Sequence, residues 1–197
     1  AAPAAAGGGG QETLPLNGVG RFRIEGQAEF RKVEVPHTWQ VEEGTAEHYG
    51  AAVYERAFDI PLAWKNKVIR IEFEAVFHSA RVSINGKPAG EHLRKGYTAF
   101  WIDITPLVNF GARNKIQVDV TNAFDEEMLP RGRSSDWAHD GGIYRPVWLH
   151  ATPATHVERM EINAEPGPGG GAATVAAKVV VAGGGASTRM AWRIVED

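Results

Sequence analysis

The sequence predicts an all-β protein, built as a sandwich or a jelly roll. Apolar and polar residues alternate in several short segments, turn signals separate these segments, and no long amphipathic helical pattern interrupts them. Period-2 alternation places one face of a strand on a core and the other toward water. Many short strands with turns between them are typical of sandwiches and jelly rolls.

The alternation is clearest in two segments. In residues 69–74, Ile, Ile and Phe alternate with Arg, Glu and Glu, and residues 116–121 repeat the pattern with Ile, Val and Val. Each segment is therefore predicted as a strand with one buried face. The pair Asn85-Gly86 favours a type I′ hairpin, because both central residues of that turn need positive φ. Residues 87–92 are the predicted return strand.

Three regions follow one another along the chain. Residues 1–20 form an Ala/Gly-rich N-terminal segment, residues 21–153 the main β-domain, and residues 154–197 the start of a second β-domain. In the last region the pattern predicts three strands, over residues 157–164, 174–181 and 189–195. Three strands with one apolar face are marginally stable alone, so we expect this second domain to be incomplete.

Composition and charge exclude several classes of function. The net charge of −3 provides no basic footprint for nucleic acid. An apolar run of about 18 residues, which a transmembrane helix needs, does not occur. The absence of cysteine excludes disulfides, a thiol nucleophile and a cysteine zinc site. The seven histidines show no metal-ligand spacing, so we expect no metal and no cofactor.

The small residues Ala1 to Gly10 allow two interpretations. They are compatible with a mature N-terminus left after signal cleavage, which favours a periplasmic or extracellular location. The alternative is a flexible linker, for which a cytoplasmic location is also open, and we slightly favour the secreted interpretation.

Six motifs occur in a fixed order. They are Val35-Pro36-His37-Thr38-Trp39, Tyr54-Glu55-Arg56-Ala57-Phe58, residues 82–92, residues 96–100, Asp103-Ile104-Thr105, and Asp136-Trp137 followed by residues 141–147. In this order they resemble the N-terminal sugar-binding domain of the β-galactosidase/β-glucuronidase family, glycoside hydrolase family 2. The resemblance covers residues 21–153.

The resemblance implies a jelly-roll (galactose-binding-like) β-sandwich followed by a truncated immunoglobulin-like β-sandwich. The parent enzyme would hydrolyse terminal β-glycosides with retention, through a covalent intermediate. Its two catalytic carboxylates would lie in a C-terminal TIM barrel of about 250 residues, so no catalytic residue is expected in this chain. The expected partners are a carbohydrate and that barrel. The alternative is a free-standing carbohydrate-binding or adhesion module, because fold does not fix function.

The resemblance also implies a role for Asp136. In family members, an Asp six residues before the Gly of the Gly-Ile-Tyr/Phe-Arg motif contacts a sugar hydroxyl and, in some members, a bound cation. Asp136 lies six residues before Gly142. A carboxylate that accepts hydrogen bonds from hydroxyls suits this role. The alternative is an Asp that caps a turn.

Five other residues of this loop are open to two interpretations. Trp137 can stack on a sugar ring or plug the loop into the sandwich, and we favour the plug because aromatic residues supply much of the burial in a small domain. His139 either lines the sugar site or belongs to a turn. Glu126 and Glu127 are expected to form a solvated acidic loop. Arg145 matches the Arg of the family motif, for which we expect a structural pair with a carboxylate.

Overall fold

The computed structural model describes residues 10–133, 136–193 and 195. It divides the chain into two compact units, with the boundary between Ala151 and Thr152. Short 3-10 turns occur at Trp39–Val41, Leu62–Trp64, Thr105–Leu107 and Pro168–Gly170. The strands up to and across the boundary are β1 (Glu12–Pro15), β2 (Gly18–Ile24), β3 (Arg31–Val35), β4 (Ala51–Asp59), β5 (Lys67–Phe73), β6 (Ser79–Ile84), β7 (Lys87–His92), β8 (Phe100–Asp103), β9 (Arg113–Thr121) and β10 (Val147–Pro153).

The first unit is a β-sandwich, as the sequence predicts. A four-stranded sheet has the order β1-β10-β5-β8, and a six-stranded sheet has the order β3-β2-β4-β9-β6-β7. One apolar core contains side chains from both sheets, among them Ile71 of β5 and Val118 of β9. Both residues are almost fully buried, and the predicted alternation of β5 and β9 is confirmed.

The predicted hairpin is confirmed as well. Strands β6 and β7 pair antiparallel on either side of Asn85-Gly86. The φ angles of these two residues are 52° and 78°, as a type I′ turn requires.

Residues 12–20 of the predicted N-terminal segment contain β1 and the start of β2. Strand β1 pairs with β10, and β2 pairs with β3 and β4. Pro15 and Gly18 obscure the strand pattern in the sequence. Proline is tolerated here because β1 is an edge strand of its sheet. Residues 1–9 of the predicted segment lie outside the described residues.

The second unit contains one antiparallel pair among its described residues. Strand β11 (His156–Glu165) pairs with β12 (Thr174–Ala182). The third strand predicted over residues 189–195 is wrong, because residues 189–193 and 195 have no strand structure. The immunoglobulin-like character of this region stays a prediction. Within the described residues, no helix has the length and apolar character needed to span a membrane.

Candidate functional site

Three loops meet beside the ends of the strands in the first unit: the 36–50 loop, the 93–99 loop and the 123–146 loop. The backbone N–H of His37 donates to the carbonyl of Ile143 at 2.7 Å. The hydroxyl of Tyr144 donates to the carbonyl of Gly96 at 2.7 Å. The third loop is therefore held by both of the others.

The glycine pair of the last motif allows two of these loops to touch. A Cβ at Gly141 would lie 2.1 Å from the indole ring of Trp39. A Cβ at Gly142, whose φ is 144°, would lie 2.2 Å from the carbonyl oxygen of His37. Only glycine fits such a close approach. The two motifs that contain these residues are therefore one packing unit.

A buried amide joins the same two loops. The Oδ1 atom of Asn122 accepts from the backbone N–H of Gly50 at 2.9 Å, and its Nδ2 donates to the carbonyl of His139 at 2.7 Å. Asn122 is fully buried. Both backbone groups would lack a partner without this side chain, so Asn122 fixes the spacing of the loops.

Between the loops lies an open groove of about 460 Å³, which we call the loop groove. Aromatic rings form much of its wall, and two carboxylates also line it. It is lined by Thr38, Phe77, Tyr97, Asp136, Trp137, Ala138, Asp140 and Tyr144. Two of the three predicted sugar-contacting residues, Asp136 and Trp137, thus share one surface. Their predicted contact with a sugar stays a prediction.

Trp137 is not a plug. Its side chain is 54% exposed, and its ring stands edge-on to that of Tyr97, with the ring centroids 5.9 Å apart at an angle of 89°. The indole N–H of Trp137 donates to the hydroxyl of Tyr97. The interpretation of Trp137 as a buried anchor is therefore wrong, because its ring is half in solvent and oriented by a tyrosine.

His139 has different surroundings from its neighbours. It is 4% exposed and contacts the rings of Phe77 and Phe124 edge-on, with centroid distances of 5.6 and 5.0 Å. Neither of its ring nitrogens has a hydrogen-bond partner among the described residues. Burial lowers the pKa of its imidazole. His139 does not line the loop groove, and its predicted contact with a sugar stays untested.

Sequence reasoning assigned no role to Tyr97, Tyr144 or Thr38. The signal for Tyr97 is the glycine before it, since a Cβ at Gly96 would lie 2.4 Å from the ring of Phe77. Gly96 thus lets the 93–99 loop close over Phe77 and places Tyr97, which is 49% exposed, at the groove.

The acidic stretch before the groove is partly paired. The Nε atom of Arg94 donates to Asp125 at 2.8 Å, and its Nη1 donates to Glu127. The hydrogen bond of the Glu127 backbone N–H lowers the pKa of the Asp125 carboxyl, and the Arg94 guanidinium lowers it further. Glu126 and Glu127 are both exposed. Both carboxylates are thus exposed to solvent, as expected, but Glu127 is also paired with Arg94 of the 93–99 loop.

Polar side chains connect the 36–50 loop to strands β3 and β4. Nδ1 of His37 lies 2.7 Å from the hydroxyl of Tyr54, and its Nε2 lies 3.1 Å from Glu42, at ion-pair distance but without hydrogen-bond alignment. Arg31 forms an ion pair with the same Glu42. Burial lowers the pKa of His37 and raises that of Tyr54. Both groups are therefore neutral at pH 7.

Among the described residues, no group of three or more His, Asp or Glu side chains is placed to hold a metal ion. The expectation that this region binds no metal stays a prediction. Arg145 is exposed, and no ion pair to a described carboxylate forms. Within the part of the chain that the structure describes, the carboxylate pair expected for Arg145 does not form.

Comparison with known proteins identifies the main domain. Residues 19–153 match the family described as "Glycosyl hydrolases family 2, sugar binding domain". The chain is 36% identical to a β-glucuronidase of Bacteroides fragilis over 151 residues, which are 75% of this chain and 21% of that protein. It is 34% identical to a β-galactosidase of Thermoanaerobacter pseudethanolicus over 148 residues, which are 73% of this chain and 20% of that protein.

Solved structures agree on the fold. The β-D-glucuronidase of Dictyoglomus thermophilum superposes with a TM-score of 0.78 at 23% identity, covering 89% of this chain and 34% of that chain. The present chain thus spans about a fifth of the length of the relatives that it matches in sequence. The motif series, the sandwich and the family match agree, and the chain belongs to the sugar-binding domain family of glycosyl hydrolase family 2.

Proposed function

We propose that this chain is the sugar-binding region of a larger retaining β-glycosidase that removes terminal β-linked sugars. In this assembly the sandwich would act as a scaffold for a catalytic TIM barrel and supply one wall of the sugar pocket. The support is the loop groove, which gathers exposed aromatic rings and carboxylates in a domain of this family. Relatives named β-glucuronidase and β-galactosidase, about five times longer than the matched region, support a glycoside substrate.

The chemistry of the groove suits a sugar. Asp136 is exposed in it and would accept hydrogen bonds from hydroxyl groups, which are strengthened by the negative charge. The ring of Trp137 offers an apolar face for the C–H side of a sugar ring, and Tyr97 holds that ring in orientation. Polar atoms and an aromatic face on one surface are what a carbohydrate needs from a pocket wall.

The groove alone lacks the features of a catalytic site. Glycoside hydrolysis needs two carboxylates on either side of the bond, one of them with a pKa raised by desolvation. Asp136 and Asp140 both line the groove, but both are exposed. We therefore assign hydrolysis to carboxylates of the barrel, and binding to this chain.

The test is Asp136→Ala in a protein that contains this chain and its catalytic barrel. Loss of a charge-assisted hydrogen bond costs about 1.5–3 kcal/mol, and each 1.36 kcal/mol is about tenfold in rate. We expect kcat/KM for an aryl β-glycoside to fall roughly ten- to a hundredfold. The free energy of unfolding should change by under about 0.5 kcal/mol, because Asp136 is an exposed loop residue.

The matched control is Glu126→Ala, which removes an exposed carboxylate of the same loop outside the groove. It should leave both kinetics and stability unchanged. A lowered melting temperature with normal kinetics for Asp136→Ala would identify Asp136 as a turn cap and contradict the proposal. Micromolar binding of a monosaccharide by the isolated chain would instead support a free-standing binding module.

A further inference from the structure

A second groove, of about 610 Å³, lies on the outer face of the six-stranded sheet. We call it the sheet groove. Its floor contains small, exposed side chains, Val19 of β2 and Ala57 of β4. Strand β4 lies between β2 and β9 in the sheet. With about 4.8 Å between neighbouring strands, side chains on β3 and β9 stand roughly 14 Å apart across the floor.

Positive charge is concentrated in this groove. Its described lining contains a single carboxylate, that of Glu55, although the whole chain has a net charge of −3. The concentration is therefore a local feature and does not follow from composition. Four cationic side chains of the lining stand on this outer face, and they are Arg21, Lys32, Arg113 and Lys115.

Internal ion pairs neutralise only part of this charge. Glu55 accepts from Lys115 at 2.7 Å and lies 3.3 Å from Arg21. Arg113 approaches Asp59 at 3.8 Å, with both side chains largely in solvent. Such exposed pairs contribute at most about 1 kcal/mol and exchange readily for a ligand. Among the described residues, Lys32 has no carboxylate partner.

The fifth cation of the lining, Arg56, points to the opposite face of β4, the face that carries the buried Tyr54 and Phe58. It is half-buried, its Nη1 donates to the carbonyl of Leu16 at 3.3 Å, and its Nε is buried without a hydrogen-bond partner. Burial lowers the pKa of this guanidinium, which nevertheless remains charged at pH 7. Arg56 therefore belongs to the packing between the two sheets, and the charge available to a ligand in the sheet groove is that of the outward-facing cations.

We propose that the sheet groove binds the carboxylates of an acidic polysaccharide, that is, a chain that contains uronic acid residues. The inference goes beyond the loop groove and rests on the carbohydrate assignment of the domain, not on Asp136. It adds a second contact with a polymeric substrate, away from the sugar that is cleaved.

The arrangement of the charges favours a polymer over a single sugar. Lys32 and Arg21 stand on one side of the floor, while Arg113 and Lys115 stand on the other. A monosaccharide would reach one wall, whereas a chain lying along the floor presents carboxylates to both. Guanidinium groups pair with carboxylates through two parallel hydrogen bonds, and lysines add point charges.

The test measures retardation of the 197-residue chain in native gels that contain a polymer. The probes are polygalacturonate, dextran, dextran sulfate and poly-glutamate. We expect retardation by polygalacturonate and none by dextran. The retardation should disappear as salt rises from about 0.1 M to about 1 M, because the Debye length falls from about 10 Å to about 3 Å.

The decisive variant is Lys32→Glu combined with Arg113→Glu, which leaves two outward-facing cations and three carboxylates in the lining. Both residues are exposed, so the fold should persist. Affinity for polygalacturonate should fall about tenfold or more. The control, Arg81→Glu combined with Lys178→Glu, makes the same change in net charge at exposed positions outside the groove, and it should keep the affinity.

Four results would overturn the proposal. They are equal losses in the groove and control variants, equal retardation by dextran, stronger binding of dextran sulfate than of polygalacturonate, and equal binding of poly-glutamate. Asp136→Ala should leave this retardation unchanged, so the outcome is separate from that for the loop groove.

Discussion

Two tryptophans of the converging loops have opposite surroundings. Trp39 is completely buried, stacks on Phe22 with the ring centroids 5.8 Å apart, and donates its indole N–H to the carbonyl of His48 at 3.0 Å. Trp137 is 54% exposed and donates to a partly exposed tyrosine. The first ring holds the loops together, and the second is available to a ligand.

Alanine substitutions in the isolated chain should separate these roles. Trp39→Ala should lower the free energy of unfolding by about 3–5 kcal/mol, because it leaves a cavity in the core. Trp137→Ala should lower it by less than about 1 kcal/mol, because little burial is lost. Urea denaturation measures both values. Equal losses would restore the interpretation of Trp137 as a plug.

His37 and His139 should make stability depend on pH. Burial lowers the pKa of each in the folded state, below the value of about 6.5 that applies in the unfolded state. The unfolded state therefore binds more protons as pH falls below about 6.5, and stability must decrease in that direction. The stability that the two neutral imidazoles contribute is fully present above about pH 7 and is lost as the solution becomes more acidic.

The variant His139→Leu isolates one part of this effect. Its ring nitrogens have no described partners, so their removal should cost no hydrogen bond. We expect urea denaturation to show a smaller loss of stability between about pH 7.5 and pH 5 than in the unchanged chain. An identical loss in both proteins would show that His139 is not protonated during acid unfolding.

At the scale of elements, the loop groove depends on how its loops are tied together. Asn122 follows directly after β9 and bonds to Gly50 on one side and to His139 on the other. Gly141 and Gly142 let the same loops pack closely, because the Trp39 ring and the His37 carbonyl occupy the space that a Cβ would fill. The groove is thus formed by backbone packing before any ligand arrives.

Replacing this amide should open the contact. Asn122→Leu leaves a buried N–H and a buried carbonyl without partners, which should lower the free energy of unfolding by about 2–4 kcal/mol. The control is Asn163→Leu on the exposed face of β11, which should change it by no more than about 0.5 kcal/mol. Thermal or urea unfolding compares the two. A neutral Asn122→Leu would show that the loops do not depend on the amide.

At the scale of the whole molecule, the sequence predicts what is periodic and local. Ile71 and Val118 lie in half-buried strands, so alternation alone identifies their buried faces. The Asn85-Gly86 turn needs only its own backbone geometry. Strand β1 has neither signal, because its Pro15 at a sheet edge resembles a linker.

The site was harder to predict because it depends on contacts between distant segments. The bond from Tyr144 to Gly96 spans 48 residues, and the contact of Trp137 with Tyr97 spans 40. No local pattern shows that these residues meet, or that Trp137 faces solvent while His139 is buried. The family motifs located the loop, and only the packing of the loops revealed which side chains line the groove.

The loop groove is proposed to be one wall of a sugar pocket. The most direct measurement is a titration of the ¹⁵N-labelled 197-residue chain with a methyl β-glycoside, followed by NMR. We predict shifts at the indole N–H of Trp137 and at the amides of Tyr97 and Asp136, with a dissociation constant in the millimolar range, about −4 kcal/mol, because a single wall buries little of a ligand. Shifts confined to the β11–β12 pair, or none at the loop groove at any concentration, would show that the loop groove does not bind the sugar.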